Sequence, residues 1–110
     1  MADYLNNGCG LIAKERDRQI NELGYDVKHD ELYSNNQLAN AAICYAMTSD
    51  DRQFENEEGA SLDVVLWPWE ESDFKPTPND RIRELVKAGA LIAAQIDREI
   101  YELEKQSKNE

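Results

Sequence analysis

The strongest helical pattern in this chain lies in Arg81-Ile82-Arg83-Glu84-Leu85-Val86-Lys87-Ala88-Gly89-Ala90-Leu91-Ile92-Ala93-Ala94-Gln95-Ile96-Asp97-Arg98. Residues at three- and four-residue steps form one stripe, which continues past this stretch: Ile82, Leu85, Gly89, Ile92, Ile96, Ile100 and Leu103. This spacing is typical of an amphipathic α-helix. The preceding Thr77-Pro78-Asn79-Asp80 supplies cap oxygens, a proline for the first turn and an early acid. We therefore predict one long helix of about 26 residues that follows these cap residues and ends near Gln106.

The predicted helix is long for so small a chain. At about 1.5 Å per residue it forms a rod of roughly 40 Å, more than one small domain can cover by itself. The small residues from Ala88 to Ala94 allow a second helix to approach closely, either from this chain or from a copy of it. The sequence therefore predicts a homo-oligomer that assembles through the Arg81–Arg98 helix.

Two further helices are predicted upstream. The first runs from about Leu11 to Leu23 and ends at Gly24, a residue suited to a helix C-terminus. The second starts after Ser34, whose hydroxyl is a cap candidate. Its inward face consists of Leu38, Ala41, Ala42, Tyr45 and Ala46, with Cys44 as buried packing.

The connections are irregular. Residues from Thr48 to Ala60 are acidic and rich in turn formers, which predicts an exposed loop, and Leu62 to Trp67 is compatible with a short extended segment. Prolines exclude regular helix from Trp67-Pro68-Trp69 to Phe74-Lys75-Pro76. The predicted fold is mostly α, a single three-helix domain over residues 1–110 with an irregular aromatic and proline loop. Residues 1–9 are expected to be loose, and residues 107–110 are expected to fray.

Composition limits the classes of partner. The 110 residues carry a formal net charge of −11, which disfavours nucleic acid and anionic membrane surfaces because both repel an acidic domain. The sequence lacks the pattern of a signal peptide and has no apolar stretch of membrane length. Cys9 and Cys44 have no metal-binding spacing, so we expect reduced thiols, no metal or other cofactor, and a cytoplasmic location, which is the host cytoplasm if the gene belongs to a phage.

A first candidate site combines the first helix with the segment that follows it. Glu15 and Gln19 share a helix face, and Arg16 lies beside them. His29 and Asp30 can return over the same helix end after the turn at Gly24. Arginine, glutamine and histidine together suit a small anionic or nucleotide-like ligand. The alternative is a purely structural network of these charges.

A second candidate is the aromatic loop. Trp67 and Trp69 can stack on a base or anchor a partner protein, or they can simply form a lid on the core. The predicted ligand-binding set is therefore Glu15, Arg16, Gln19, His29, Asp30, Trp67 and Trp69. No catalytic residue is assigned.

Two alternatives come from the acidic residues. Those between Asp50 and Asp73 can form a surface that occupies a basic groove on a host nucleic-acid or defence enzyme. In addition, Glu55-x-x-Glu58 followed by Glu70-x-x-Asp73 resembles the metal-binding motif of the all-α MazG-like nucleotide pyrophosphohydrolases. The resemblance implies acids that project from helices toward Mg²⁺. The four acids of this chain fall in sequence typical of loops, so we assign no metal ligands.

Several segments form a combined pattern over about residues 11 to 98. They are Glu15-Arg16-x-Arg18-Gln19, Gly24-Tyr25, His29-Asp30, Leu38-Ala39-x-Ala41-Ala42-x-x-Tyr45-Ala46, Trp67-Pro68-Trp69, Phe74-Lys75-Pro76 and Asp80-Arg81-x-x-x-Leu85-Val86-Lys87-Ala88-x-Ala90-Leu91-Ile92. The combination resembles a family of short bacteriophage and prophage proteins without an assigned activity. The resemblance implies a phage accessory gene, and such genes often counter host defences. Our leading hypothesis is a non-catalytic binder of a nucleotide or a nucleotide-derived signal.

Overall fold

The computed structural model describes residues 7–23 and 36–108. These ranges contain three main helices, α1 (Gly8–Leu23), α2 (Gln37–Ala46) and α5 (Arg81–Lys108). Two short helices, α3 (Ser49–Arg52) and α4 (Leu62–Leu66), and a 3₁₀ turn at Glu71–Asp73 lie between α2 and α5. No strand occurs in this part of the chain beyond one isolated bridge between Glu55 and Ser61. The prediction of a mostly α fold with a long C-terminal helix is confirmed.

The core lies between α2 and α5. Leu38, Ala41 and Ala42 of α2 are buried with Leu91 and Ala94 of α5. The alanines allow the two helix backbones to come close, because each projects only a methyl group into the interface. The small residues of α5 therefore pack against α2 of the same chain.

Helix α1 packs on α5 at a glycine. A Cβ atom added to Gly89 would lie only 2.5 Å from Ile12 Cδ1, so Ile12 fills the space that a side chain would need. Two ion pairs flank this contact: Glu15 with Arg83 at 2.8 Å, and Arg16 with Asp97 at 3.4 Å. Gly89 therefore contacts α1 of the same chain.

The helix boundaries differ from the predictions at three places. Helix α1 begins at Gly8 because Asn7 Oδ1 accepts a hydrogen bond of 2.9 Å from the Gly10 amide and caps the helix. Residues 8 and 9 are therefore not loose. Helix α5 continues to Lys108, beyond the expected end. Helix α2 starts at Gln37, after Asn36, and the expected cap Ser34 lies outside the described residues.

The segment before the tryptophans was expected to be extended, and this was wrong. It forms the short helix α4, whose start is fixed by Asp63. Asp63 Oδ1 accepts hydrogen bonds from the Ser61 hydroxyl at 2.6 Å and from the Val64 amide at 2.9 Å. Likewise, the acidic loop is interrupted by α3, which Thr48 caps by accepting from the Asp51 amide.

Candidate functional site

A cavity of about 620 Å³ lies between α1, α5 and the aromatic loop. Its lining comes from four parts of the chain. Helix α1 supplies Glu15, Arg18 and Gln19; α2 supplies Tyr45; the loop supplies Trp67, Trp69, Glu70, Asp73 and Lys75; α5 supplies Lys87 and Leu91. The volume is in the range of cavities that hold small molecules and cofactors.

The aromatic wall of this cavity is built around Trp67. Its ring lies edge-on to Tyr45 and to Trp69, with centroid distances of 5.7 and 5.3 Å. Phe74 packs beside it at 4.7 Å, and the Trp67 indole N–H donates to the Glu70 carbonyl at 2.9 Å. Trp67, Trp69 and Phe74 also pack against the hydrophobic core. The predicted lid on the core and the predicted stacking surface therefore involve the same residues.

The wall from α1 is organised by a buried carboxylate. Arg18 donates to both oxygens of Glu15, at 2.8 and 2.9 Å, and Arg83 of α5 contacts the same carboxylate at 2.8 Å. Burial raises the pKa of Glu15, but the two arginines outweigh it and hold the pKa below its ordinary value. The carboxylate is thus fully engaged and serves to position this part of α1.

Gln19 is the next residue on that face of the helix. It is only 4% exposed, it lines the cavity, and its side-chain oxygen Oε1 accepts no hydrogen bond from any residue that the structure describes. A buried acceptor without a donor is costly, so it favours any group that can donate to it.

The cationic groups come from α5 and the loop. Lys87 Nζ donates to the Lys75 carbonyl at 2.9 Å and lies 5.4 Å from the centre of the Tyr45 ring. Burial, and next the nearby positive charge of Arg83, lower the pKa of Lys87. The Lys75 amide donates to the Tyr45 hydroxyl at 3.0 Å. Both the amide and the carbonyl of Lys75 are therefore hydrogen-bonded to side chains of the helices, which fixes the loop over the cavity.

The structure brings together part of the predicted ligand-binding set. Glu15, Gln19, Trp67 and Trp69 all line the cavity. Arg16 does not, because consecutive helical residues are about 100° apart, and its guanidinium pairs instead with Asp97. His29 and Asp30 lie outside the described residues.

Sequence reasoning left several lining residues out of the predicted set, among them Tyr45, Lys75 and Lys87. Tyr45 was assigned to the core, and it does pack there while also facing the cavity. Lys75 and Lys87 belong to the motif segments Phe74-Lys75-Pro76 and Leu85-Val86-Lys87-Ala88, but neither was assigned a binding role. For Lys87, a charge between the apolar residues Val86 and Ala88 was the one available signal.

The acidic residues lie mainly outside the cavity. Those assigned to the acidic surface are all exposed: Asp50, Asp51, Glu55, Glu57, Glu58, Glu70, Glu71 and Asp73. Glu55 forms the isolated bridge with Ser61, and Glu58 lies in the turn that follows it. Glu70 precedes the 3₁₀ turn and Asp73 ends it, so neither pair projects from an α-helix. Within residues 7–23 and 36–108, no group of three or more histidine, cysteine or acidic side chains is placed to hold a metal ion.

Comparisons with known proteins yield no relative: no protein-family model matches the chain, and neither a curated protein nor a solved structure matches it. None of the helices in the described ranges combines the length and apolar character needed to cross a membrane.

Proposed function

We propose that this chain is a non-catalytic binding protein whose cavity takes a small ligand that joins an aromatic ring to an anionic group, as a nucleotide does. The observation that carries the proposal is that one cavity is lined by two tryptophans, a buried glutamine and two lysines. Each of these side chains suits a different part of such a ligand.

The tryptophans suit the ring. Both are half-buried, so their orientation is fixed by packing while one surface stays accessible. Stacking of a base on an aromatic side chain contributes about 1–3 kcal/mol. A fixed indole loses little conformational entropy when a ring stacks on it, which favours binding.

The lysines suit the anionic group. The chain as a whole carries a charge of −11, and Arg18 is already engaged with Glu15. Lys87 uses one of its three N–H donors on the Lys75 carbonyl, which leaves donors for a phosphate. Because Lys87 is partly desolvated, its attraction for an anion is stronger than that of a lysine in bulk water.

Intrinsic fluorescence gives a direct test. The chain contains two tryptophans, and both line the cavity, so quenching reports on this site alone. Nucleoside mono-, di- and triphosphates, cyclic dinucleotides and NAD-derived nucleotides are titrated while the melting temperature is measured in parallel. We expect saturable quenching and a rise in melting temperature, since a ligand that binds only the folded state stabilises it. Lys87→Met is expected to weaken both effects, and the exposed Lys14→Met serves as the matched control.

Other outcomes distinguish the alternatives. Absence of quenching and of a thermal shift with every nucleotide would contradict the proposal. Salt-sensitive capture of a basic host protein, lost when the exposed acids are neutralised, would then favour the acidic inhibitor. Turnover of a nucleotide in Mg²⁺, abolished by Glu58→Gln or Glu70→Gln, would instead favour the hydrolase. Recovery of intact nucleotide after incubation supports binding without catalysis.

The biological role that we propose is that of a phage or prophage accessory protein that sequesters a nucleotide signal of host defence in the cytoplasm. The resemblance of the sequence to short phage proteins supports it, and a binder without turnover is sufficient for sequestration. Expression in a host with a nucleotide-signalled defence should raise the plating efficiency of a sensitive phage. Trp67→Ala should abolish that effect if the cavity is responsible.

A further inference from the structure

We propose that the exposed apolar face of α5 pairs with the same face of a second copy of this chain, and that the two helices run antiparallel. The sequence predicts assembly through α5 but leaves the direction of the second helix open. The residues that stay accessible on α5, and the one charge among them, favour one direction. The pairing does not depend on the proposed function, because it uses the opposite side of α5 from the cavity.

Four apolar residues form an accessible seam along α5. Leu85, Ile92, Ile96 and Leu103 are between 41% and 67% exposed. At about 100° per residue, the four positions lie within about 40° of one another around the helix. They therefore form a narrow apolar line, which is the kind of surface by which one helix packs along another.

The spacing of the seam is the same in both directions along the helix. Its steps are seven, four and seven residues, so the midpoint of the seam lies at Ala94. A two-fold axis at that midpoint places Leu85 of one chain opposite Leu103 of the other, and Ile92 opposite Ile96. Every seam residue then meets an apolar side chain, as knobs-into-holes packing requires. In a parallel pair each seam residue would meet its own copy, so spacing alone permits either direction.

Glu99 favours the antiparallel pair. It lies at the border of the seam, three residues after Ile96 and four before Leu103, and it is exposed. In a parallel pair it would face its own copy, and like charges placed opposite one another oppose association. In the antiparallel pair Glu99 lies opposite Gly89, which is uncharged. The helix dipoles favour the same direction, because each positive N-terminus then lies near a negative C-terminus.

The position of α2 also favours the antiparallel pair. Helix α2 lies along the first half of α5, since Arg81 donates to the Met47 carbonyl at 3.0 Å and the Ala39 amide donates to Gln95 at 3.2 Å. Leu103 lies eight residues beyond Gln95, a distance of about 12 Å along the helix. In an antiparallel pair this outer end packs beside the half of the second α5 that α2 accompanies. In a parallel pair the two outer ends meet each other, away from α2. The antiparallel pair therefore buries more surface, which favours it.

The pairing leaves the candidate binding cavity open. On α5 the cavity is lined by Lys87 and Leu91. At about 100° per residue, both positions lie about 120° or more around the helix from the middle of the seam. Each chain of the pair therefore keeps an accessible cavity. Failure of nucleotide binding and failure of the pairing are separate results.

Disulfide cross-linking distinguishes the two directions. Leu85→Cys and Leu103→Cys are made in a Cys9→Ser background, one of them with an affinity tag, and are mixed under mild oxidation. Cys44 stays in place because it is buried, and burial raises the pKa of its thiol to about 11. We expect the disulfide between tagged and untagged chains as the main product. Each variant alone should cross-link little, because the two copies of its cysteine lie about 27 Å apart along the pair.

Val64→Cys is the control, an exposed apolar position outside α5 that should cross-link with neither variant. Efficient cross-linking of Leu85→Cys to its own copy would show a parallel pair and overturn the proposal. Absence of every cross-linked product, from variants that keep the wild-type melting temperature, would also overturn it.

A substitution without cysteine gives a second measurement. Glu99→Gln removes the charge at the border of the seam and keeps an oxygen that can accept from Gln95, as Glu99 does at 2.8 Å. In the antiparallel pair we expect the dissociation constant from sedimentation to stay within about twofold of the wild-type value, the range for a surface substitution. Association that tightens tenfold or more would show that two Glu99 carboxylates face each other, and it would contradict the antiparallel direction.

Discussion

Arg83 on α5 donates to the Glu15 carboxylate on α1 over 2.8 Å, and this pair joins the two helices beside the cavity. Arg18 binds the same carboxylate from within α1. Glu15 is buried, so its charge is tolerated only because two guanidinium groups compensate it. The wall of the cavity therefore depends on a charge that must stay ionised.

Neutralising this carboxylate should loosen α1. We expect Glu15→Gln to lower the free energy of unfolding by about 1.5–3 kcal/mol near neutral pH, the typical value for hydrogen bonds to a charged group. The pKa of Glu15 in the folded chain lies below its ordinary value of 4.5. The stabilisation by Glu15 is therefore complete above about pH 4.5, and it is lost as the pH falls through the lower pKa of the folded state.

Urea unfolding of both proteins at several pH values measures this difference. The two unfolding free energies should converge in acid. Glu22→Gln is the control, since Glu22 also pairs with Arg18 but is largely exposed. A difference between wild type and Glu15→Gln that does not change with pH would contradict the ionic role of Glu15.

Nucleotide affinity should depend on pH through Lys87. Its pKa lies below the ordinary value of 10.5, chiefly because the ammonium group is desolvated. If Lys87 binds the phosphate, nucleotide affinity should fall as the pH rises through this lowered pKa, where exposed lysines are still charged. Fluorescence titration against pH tests it, with the unphosphorylated nucleoside as control. Lys87→Arg should remove this pH dependence, and a dependence that persists there would assign it to another group.

A second buried ion pair fixes the other end of the core. Arg52 Nη2 contacts Glu84 Oε2 at 2.7 Å, and both side chains are almost completely buried. The Glu84 oxygen also accepts from the Thr77 amide, and Arg52 donates to the Met47 carbonyl at the end of α2. We expect Arg52→Met to cost about 3–5 kcal/mol in unfolding free energy, because it leaves Glu84 buried with less compensation.

Chemical denaturation in a double-mutant cycle measures that coupling. Arg52→Met combined with Glu84→Met should cost less than the sum of the two single changes, since neither charge is then left alone. Strict additivity would show that the pair carries no coupling energy. Asp51→Asn, an exposed neighbour, should leave stability nearly unchanged.

The helices were predictable because their signals are local, whereas the site depends on how α1 is rotated. The i, i+4 spacing correctly grouped Glu15 with Gln19. It did not show that Arg16 faces Asp97, because that rotation is set by Ile12 against Gly89 and by Arg83. Such contacts join residues that are far apart in sequence, and one sequence by itself contains no record of them.

Short apolar runs and isolated charges were the other source of error. Leu62–Leu66 has the length of a strand or of a single helical turn, and periodicity cannot separate these. Its helical form comes from the local bonds of Asp63. Similarly, Lys87 resembles a solvent-facing charge until the loop carbonyl of Lys75 is placed over it.

Gly89 should be intolerant of any side chain. An alanine Cβ would meet Ile12 Cδ1 at 2.5 Å and Cγ1 at 2.8 Å, and overpacking of this kind typically costs about 1–3 kcal/mol. The higher helix propensity of alanine offsets at most about 1 kcal/mol of this cost, so we expect Gly89→Ala to lower the melting temperature. Adding Ile12→Ala should restore space, so Gly89→Ala should be tolerated better in that background. An equal cost in both backgrounds would contradict the contact. Gly89→Leu should therefore destabilise the chain itself and would not report on oligomerisation.

The apolar stripe of α5 is exposed along most of the helix, beginning with Ile82, Leu85 and Ile92. Ile96, Ile100 and Leu103 are 53%, 49% and 67% exposed, and they follow Gln95, whose side chain accepts a hydrogen bond from the Ala39 amide of α2. Leu85 and Ile92 are seven residues apart, as are Ile96 and Leu103. This heptad spacing is typical of helices that pair with one another, so we expect a second copy of α5 to cover this face.

The mass in solution tests this self-association. Light scattering should give a multiple of the chain mass of 12.6 kDa, and Ile96→Glu with Ile100→Glu should reduce it to a single chain, because charges on a buried seam are costly. The fold of the monomer should persist, since both residues are half exposed within it. Val64→Glu is the control, an equally exposed apolar position outside α5 that should leave the mass unchanged. A wild-type mass of one chain at high protein concentration would contradict assembly through α5 and leave its exposed stripe to a different partner.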